Sequence, residues 1–327
     1  MVLGDDADPC YARWMGHLDN GTWIPGWNVS SKSGRFERGS TSFRSRLGSK
    51  EHPVERDRYH LYVSYACPWA HRTLITRALR GLTEVLPVTV VDPRMGDDGW
   101  VMRDGDPDPV MGARCLHQLY TRADATYSGK VTVPVLWDKV AGTIVNNESR
   151  EVMRMFDDEL AALAPEPTPH LAPPALRADV DRVLDEIYEP INNGVYRAGF
   201  ASTQEAYAEA CGQVFAGLDH WEQVLGEQRY VTGAQLTEAD IALFTTLLRF
   251  DLVYYAHFKC NLRRLQDYPN LWGFTRELYQ HPAIRPTCDL DHIKTHYYWS
   301  QTSVNPHRLV PLGPTLPLDE PHGRDRR

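Results

Sequence analysis

Five prolines, Pro165, Pro167, Pro169, Pro173 and Pro174, crowd the stretch 161–175 near the middle of this 327-residue chain. Proline removes a backbone donor and clashes with the preceding helical turn, so no helix runs through such a stretch. It reads as a linker between two halves with different hydrophobic patterns. A chain of this length holds two modest domains. Its 42% hydrophobic share leaves apolar residues enough for a core in each.

Ahead of the linker, residues 59–63 are aromatic and β-branched, as a strand prefers. Residues 70–79 read as a helix with Leu74, Ile75, Ala78 and Leu79 on one face and Gly81 as its stop. The next strand is 86–91. The stretch 92–129, with Gly-Asp-Asp-Gly and Asp-Pro-Asp-Pro, reads as a long inserted loop. Strands at 130–137 and 143–145 and a helix at 150–156 follow. Residues 57–160 thus form a β-α-β, insertion, β-β-α unit. Beyond the linker, 176–300 is all helical, with apolar residues at helical spacing in 176–188, 204–225, 240–255 and 271–280. Residues 1–56 read as an irregular extension packed by Trp14, Trp23 and Trp27, with 30–50 exposed, and 301–327 as a tail. The fold class is α/β plus all-α.

The net charge is −8, from 35 basic and 43 acidic residues. Such a chain gains little from phosphate counterion release, which argues against nucleic acid as a partner. It also lacks the basic patch that holds an anionic membrane surface. No apolar run reaches the roughly 18 residues of a membrane span. The first residues carry neither a basic nor an apolar signal region, so a cytoplasmic location is expected. The six cysteines, Cys10, Cys67, Cys115, Cys211, Cys260 and Cys288, form no Cys-x-x-Cys pair. In a reducing cytosol they read as free thiols, with neither a disulfide framework nor a zinc site.

Cys67 alone has a context for chemistry. It follows a strand and precedes Pro68 at the start of a helix, where unpaired N–H groups and the helix dipole favour a thiolate. Proline suits the first helical turn. His71 and Arg72 are expected to add positive charge. Ala70 stands where a Cys-x-x-Cys site has its second cysteine, so a mixed disulfide on Cys67 needs an external thiol. The competing reading is a small buried hydrophobe.

Other segments fit around it. Val133-Pro134 sits where a thioredoxin-like sheet places a cis proline; if cis, the Val133 backbone is turned to pair with an extended peptide. Glu148-Ser149 opens a helix, either as a plain N-cap or as a cradle for a carboxylate and an ammonium group. Trp100 and Arg103 lie in the insertion, as a clamp for an anionic ligand or as a simple anchor. His292 and His296 lack a third metal ligand and read as packing histidines. Thr237–Asp240 resembles a capping box without a catalytic role.

These features together resemble the cysteine-type glutathione transferases related to the omega class, and most closely the glutathionyl-hydroquinone reductases, or Xi class. The segments that carry the resemblance are Ser64-Tyr65-Ala66-Cys67-Pro68-Trp69-Ala70-His71-Arg72, Trp100-Val101-Met102-Arg103, the segment 132–138, Asn146-Asn147-Glu148-Ser149, the segment 192–201, and His292-Ile293-Lys294-Thr295-His296-Tyr297-Tyr298. The resemblance implies the glutathione transferase fold: a thioredoxin-like domain with an insertion, then a helical bundle. It implies glutathione-dependent reduction of glutathionyl-hydroquinones through a Cys67 mixed disulfide, with glutathione disulfide as the second product. Tyr196 and Tyr297 are the implied proton donors, with Tyr298 adjoining. Trp100, Arg103, Val133, Glu148 and Ser149 are implied for glutathione, and Tyr65 and Tyr254 for the aromatic substrate. The family is dimeric through its helical domain and needs no metal or nucleotide cofactor. An omega-like thioltransferase or dehydroascorbate reductase shares Cys67 without needing the tyrosines. A non-catalytic glutathione-binding scaffold is the third reading.

Overall fold

The computed structural model describes residues 16–26, 33–103 and 107–325. Cys10, Trp14 and Trp27 lie outside the described residues. The extension is more ordered than its composition suggests. Strands β1 (His17–Asp19) and β2 (Thr22–Ile24) form an antiparallel hairpin. Its turn is Asn20-Gly21, with φ of 46° and 75°. Positive φ at both central residues belongs to the turn whose twist matches a hairpin, and Asn-Gly is the sequence that adopts it. That dipeptide was a readable signal, and it corrects the expectation of an irregular extension.

The core unit follows in chain order: β3 (Tyr59–Val63), α1 (Pro68–Leu79), β4 (Val88–Val90), α2 (His117–Ala123), β5 (Gly129–Lys130), β6 (Val135–Asp138), β7 (Thr143–Asn146) and α3 (Ser149–Asp158). The sheet order is β4-β3-β6-β7. β3 and β4 run parallel, with Leu61 opposite Val88; β6 and β7 add antiparallel neighbours. β3 is buried at every position, as a strand covered on both faces must be. α1 lies against α3 and ends at Gly81, whose φ of +67° permits the turn.

The structure corrects three expectations. The insertion contains helix α2, which buries Leu119 and Tyr120. The stretch 130–137 is two short strands, because the cis Val133-Pro134 peptide interrupts it; β5 instead pairs with β1 of the extension. The stretch 161–175 begins inside a 3₁₀ turn, Leu160–Leu163, which ends before the first proline.

The helical half comprises α4 (Arg177–Ile187), α5 (Gly194–Gly199), α6 (Gln204–Glu227), α7 (Glu238–Arg249), α8 (Pro269–Gln280) and α9 (Leu290–Thr295). Single π turns follow α4, α7 and α9, at Tyr188–Asn192, Phe250–Tyr254 and His296–Ser300. The capping box at the start of α7 is complete: Asp240 accepts from the Thr237 backbone N–H at 2.8 Å and from its hydroxyl at 3.0 Å. The tail folds back, and the buried Arg324 reaches Glu277 at 2.9 Å.

The core of the helical half includes Ala66, Ile75 and Met153 from the sheet half, so the two halves share an apolar interface. Among the described residues, no helix is long and apolar enough to cross a membrane.

Candidate active site

Cys67 is the N-cap residue of α1, with Pro68 at the first helical position and no side-chain cap bond. Its backbone carbonyl accepts from His71 at 2.9 Å, and its thiol faces the Val133 carbonyl at 3.5 Å. The cis peptide and the helix start therefore meet at the sulfur.

Its electrostatics depart from the sequence expectation. Burial pushes the Cys67 thiol up. The N–H groups of Ala70 and Trp69 and the charges of Arg38 and Arg249 pull it back without cancelling that effect. His71 supplies no charge. It is fully enclosed, burial and Arg249 hold its pKa well below the usual histidine value, and its ring bonds to Thr287 at 2.9 Å. Arg72 keeps its charge although burial lowers it to about 10.

Arg249, at the end of α7, is completely buried. Its guanidinium donates to the carbonyls of Ala66 at 2.8 Å, Tyr65 at 2.7 Å and Thr245. It therefore holds the two residues before Cys67 from the opposite half of the molecule. The signal in the sequence was a single cation in the apolar run 241–250. Arg38 comes from the extension and lies over the Trp69 ring at 4.2 Å, with Arg72 over the same ring at 4.3 Å. Nothing in the Ser- and Arg-rich stretch around Arg38 distinguished it.

A cleft of about 830 Å³ opens at Trp69 and Val133, on either side of the cysteine, which does not itself line it. Trp69, Val133, Pro134, Glu148 and Ser149 line it, together with residues 36–42 of the extension. Glu148-Ser149 forms an N-cap and also lines the cleft. Glu148 is the N-cap of α3 and accepts from the Arg150 N–H at 3.4 Å. The Ser149 hydroxyl is buried at the cleft and, among the described residues, lacks a hydrogen-bond partner, as does the Trp69 indole N–H. Buried polar atoms left unpaired cost stability unless a ligand or water meets them. Two of them at the cleft suit a polar ligand such as a carboxylate that could meet them.

Trp100 and Arg103 stand elsewhere. Trp100 is buried and stacks on His296 at 4.7 Å, and Arg103 is exposed near His292. His292 bonds to the Ser64 hydroxyl at 3.1 Å and meets the Tyr65 ring edge-on at 5.6 Å. These two residues and Tyr65 therefore flank the Ser64-Tyr65 side of the cysteine and do not line the cleft.

The tyrosines converge. The Tyr297 hydroxyl lies 2.6 Å from that of Tyr196 and 3.1 Å from that of Tyr254. Tyr298 turns away and donates to the Leu252 carbonyl at 3.4 Å. Burial pushes all three clustered phenols up, most strongly Tyr254 and Tyr297. Tyr196 also feels the Cys67 sulfur, which pushes its phenol up further. Phe36 of the extension packs on Tyr196 at 6.4 Å. Phe36 and Val133 line the cleft and touch Tyr196 and Cys67 respectively, so the sulfur and the phenol cluster each adjoin a residue of the cleft wall without lining it.

The chain matches the family models for the glutathione S-transferase N-terminal domain over residues 66–159 and C-terminal domain over 204–277. It is 50% identical to the glutathionyl-hydroquinone reductase YqjG of Escherichia coli, over 96% of this chain and 99% of that one. The glutathione-bound structure of YqjG superposes with a TM-score of 0.86, covering 95% of this chain and 99% of that one. The glutathionyl-hydroquinone reductase PcpF of Sphingobium chlorophenolicum is 48% identical over 93% of this chain and 98% of its own. A Xi-class transferase from Natrialba magadii is also 48% identical, with a TM-score of 0.90 over 96% of this chain and 99% of that one.

Proposed function

The chain belongs to the Xi-class glutathione transferases, the family of the glutathionyl-hydroquinone reductases, and from that premise we propose that it reduces glutathionyl-hydroquinones to hydroquinones at the expense of glutathione. The observation that carries the proposal is the convergence of the Tyr196, Tyr254 and Tyr297 hydroxyls, with Tyr196 near enough to Cys67 for the sulfur to push its phenol up.

The glutathionyl part of the substrate lies along the Val133 edge, with a carboxylate at Ser149 and the start of α3 and its ammonium at Glu148. The Cys67 thiolate attacks the sulfur of the conjugate. The carbon–sulfur bond breaks, its electron pair stays on the aromatic ring, and a tyrosine phenol protonates that carbon. Tyr196 and Tyr297 are the proposed donors, with Tyr254 behind them. Cys67 is left as a mixed disulfide, which a second glutathione releases as glutathione disulfide. Tyr65, with Trp100 and Arg103 near it, forms the other flank of the substrate site. No metal or nucleotide enters the scheme. The thiol chemistry suits a reducing cytoplasm, and a homodimer through the helical half is part of the proposal.

The test is an assay with glutathione and a menadione conjugate, run beside Cys67→Ala. Hydroquinone release that is lost in the variant is expected. Turnover of a simple mixed disulfide without hydroquinone release would point to an omega-like thioltransferase instead. Sedimentation equilibrium at micromolar concentration should give the mass of two chains.

A further inference from the structure

Among the described residues, the buried arginines are Arg72, Arg80, Arg249 and Arg324. Arg80 pairs with Asp157 and Arg324 with Glu277, each at 2.9 Å. Arg72 and Arg249 pair with no described carboxylate, and both adjoin the Cys67 turn: Arg72 lies over the Trp69 ring at 4.3 Å, and Arg249 holds the Tyr65 and Ala66 carbonyls. A buried cation without a counter-charge is costly to keep. What Arg249 touches shows what it is kept for. Its guanidinium reaches four acceptors: the carbonyls of Ala66 at 2.8 Å, Tyr65 at 2.7 Å and Thr245, and the His71 Nδ1 at 3.3 Å. Arginine only donates, so Nδ1 accepts and the His71 proton sits on Nε2. That N–H donates to the Thr287 hydroxyl at 2.9 Å, which in turn donates to the Ile284 carbonyl at 2.6 Å. Neutral His71 is thus a bracket for Arg249, and the guanidinium grips the chain on both sides of Cys67.

The other end of the tie is the phenol cluster. Arg249 is the last residue of α7, and the π turn that begins at Phe250 carries Tyr254. The Tyr254 hydroxyl lies 3.1 Å from that of Tyr297, which lies 2.6 Å from that of Tyr196. We propose that Arg249 is a positioning residue for the reductase reaction: it fixes the Cys67 turn against the tyrosine-bearing π turn, so that sulfur and phenol reach one substrate together. The inference rests on the reductase reading above. Burial pushes the Cys67 thiol and the Tyr254 and Tyr297 phenols up, and the Arg249 charge opposes it at all three. Cleaving the carbon–sulfur bond of the conjugate needs the thiolate at its sulfur and a proton at its ring carbon. Exchange with a simple mixed disulfide needs the sulfur alone. Loosening Arg249 therefore harms the first reaction more than the second.

The experiment compares two rates in the full chain at saturating substrate: hydroquinone release from the menadione conjugate and turnover of a simple mixed disulfide. Arg249→Lys keeps the charge but gathers its donors on one nitrogen, which cannot span the acceptors that the guanidinium reaches. The ratio of the first rate to the second is expected to fall about 30-fold, within the roughly 100-fold that misplacing reacting groups by about 1 Å costs. Circular dichroism decides whether that variant is read. If it does not fold, His71→Leu is read instead, which keeps Arg249 and removes its bracket. The ratio should fall there too and recover in His71→Gln, whose amide oxygen accepts from Arg249. A ratio that stays at the parent value in the variant read, whether both rates hold or fall together, or a His71→Gln that recovers nothing, would overturn the positioning role alone. A parent chain that releases no hydroquinone would overturn the reductase reading and this inference with it.

Discussion

Cys67 stands between opposed influences: its enclosure keeps the proton on, while Arg38, Arg249 and the first N–H groups of α1 draw it off. Because burial prevails, alkylation of Cys67 should accelerate as pH rises through the alkaline range, in step with the thiolate. Removing Arg38 takes away a charge that favours the thiolate, so Arg38→Gln should move that rise to higher pH. About half a pH unit is expected of an exposed cation; a curve that stays in place would deny Arg38 its electrostatic role. The phenols behave differently. Burial has pushed them up, so Tyr196 and Tyr297 stay protonated throughout the assay range and impose no fall in rate on its alkaline side. Replacing either by Phe removes a donor. Hydroquinone release should drop by about 100-fold, within the range of lost acid catalysis, while turnover of a simple mixed disulfide, whose leaving sulfur needs no proton on carbon, should persist. Cys67, Val133 and Ser149 were legible because each sits at a local punctuation mark: Cys-Pro, a Pro in a strand, a helix start. Arg38 was not, and Arg249 showed only as a lone cation in an apolar run, because their effect on the sulfur depends on contacts far off in the chain.

Elements were legible where their periodicity is regular and obscure where it breaks. The run 240–255 reads as one helix, yet α7 gives way to a π turn at Phe250–Tyr254. An extra residue in a turn rotates every later side chain by about 100° relative to an ideal helix. A helical wheel therefore misdirects Tyr254, and the π turn at His296–Ser300 has the same effect on Tyr297 and Tyr298. All three π turns border the site, supplying Tyr188 on the cleft and two tyrosines of the cluster. The linker was legible as a break but not as a fixed element. Asp157, at the end of α3, accepts from the N–H groups of Leu171 and Ala172 at 3.0 Å each and forms a buried ion pair with Arg80 at 2.9 Å. Arg80 also donates to the carbonyls of Thr168 and Pro169. Removing one partner of a buried pair strands the other, so Arg80→Ala should cost about 3 kcal/mol in urea unfolding. A loss under about 1 kcal/mol, the usual worth of an exposed pair, would mean that the linker is not pinned there.

At the scale of the whole molecule, the two halves differ in composition but do not stand apart. Arg249 reaches from the helical half to the backbone before Cys67; Arg72 reaches back to Asn192 at 2.7 Å; Arg154 pairs with the buried Glu238 at 2.9 Å. Each of these contacts leaves a buried charge or carbonyl unmet if one half opens while the other stays folded, at a cost of about 1–3 kcal/mol per stranded group. Local opening of either half is therefore penalised by the other, and calorimetry should record one unfolding transition despite the linker. The cleft draws its lining from the extension, the sheet half and Tyr188 of the helical half, so a ligand bound there is lost when any of them unfolds. Glutathione at about 100 times its dissociation constant should add about 2.7 kcal/mol and raise the midpoint of that single transition by several degrees. Cys67→Ser should keep the shift, because the proposed non-covalent contacts are those of Val133, Glu148 and Ser149 and not of the sulfur. Two separate transitions, with only the lower one moved by glutathione, would mean that the buried ties between the halves do not couple them.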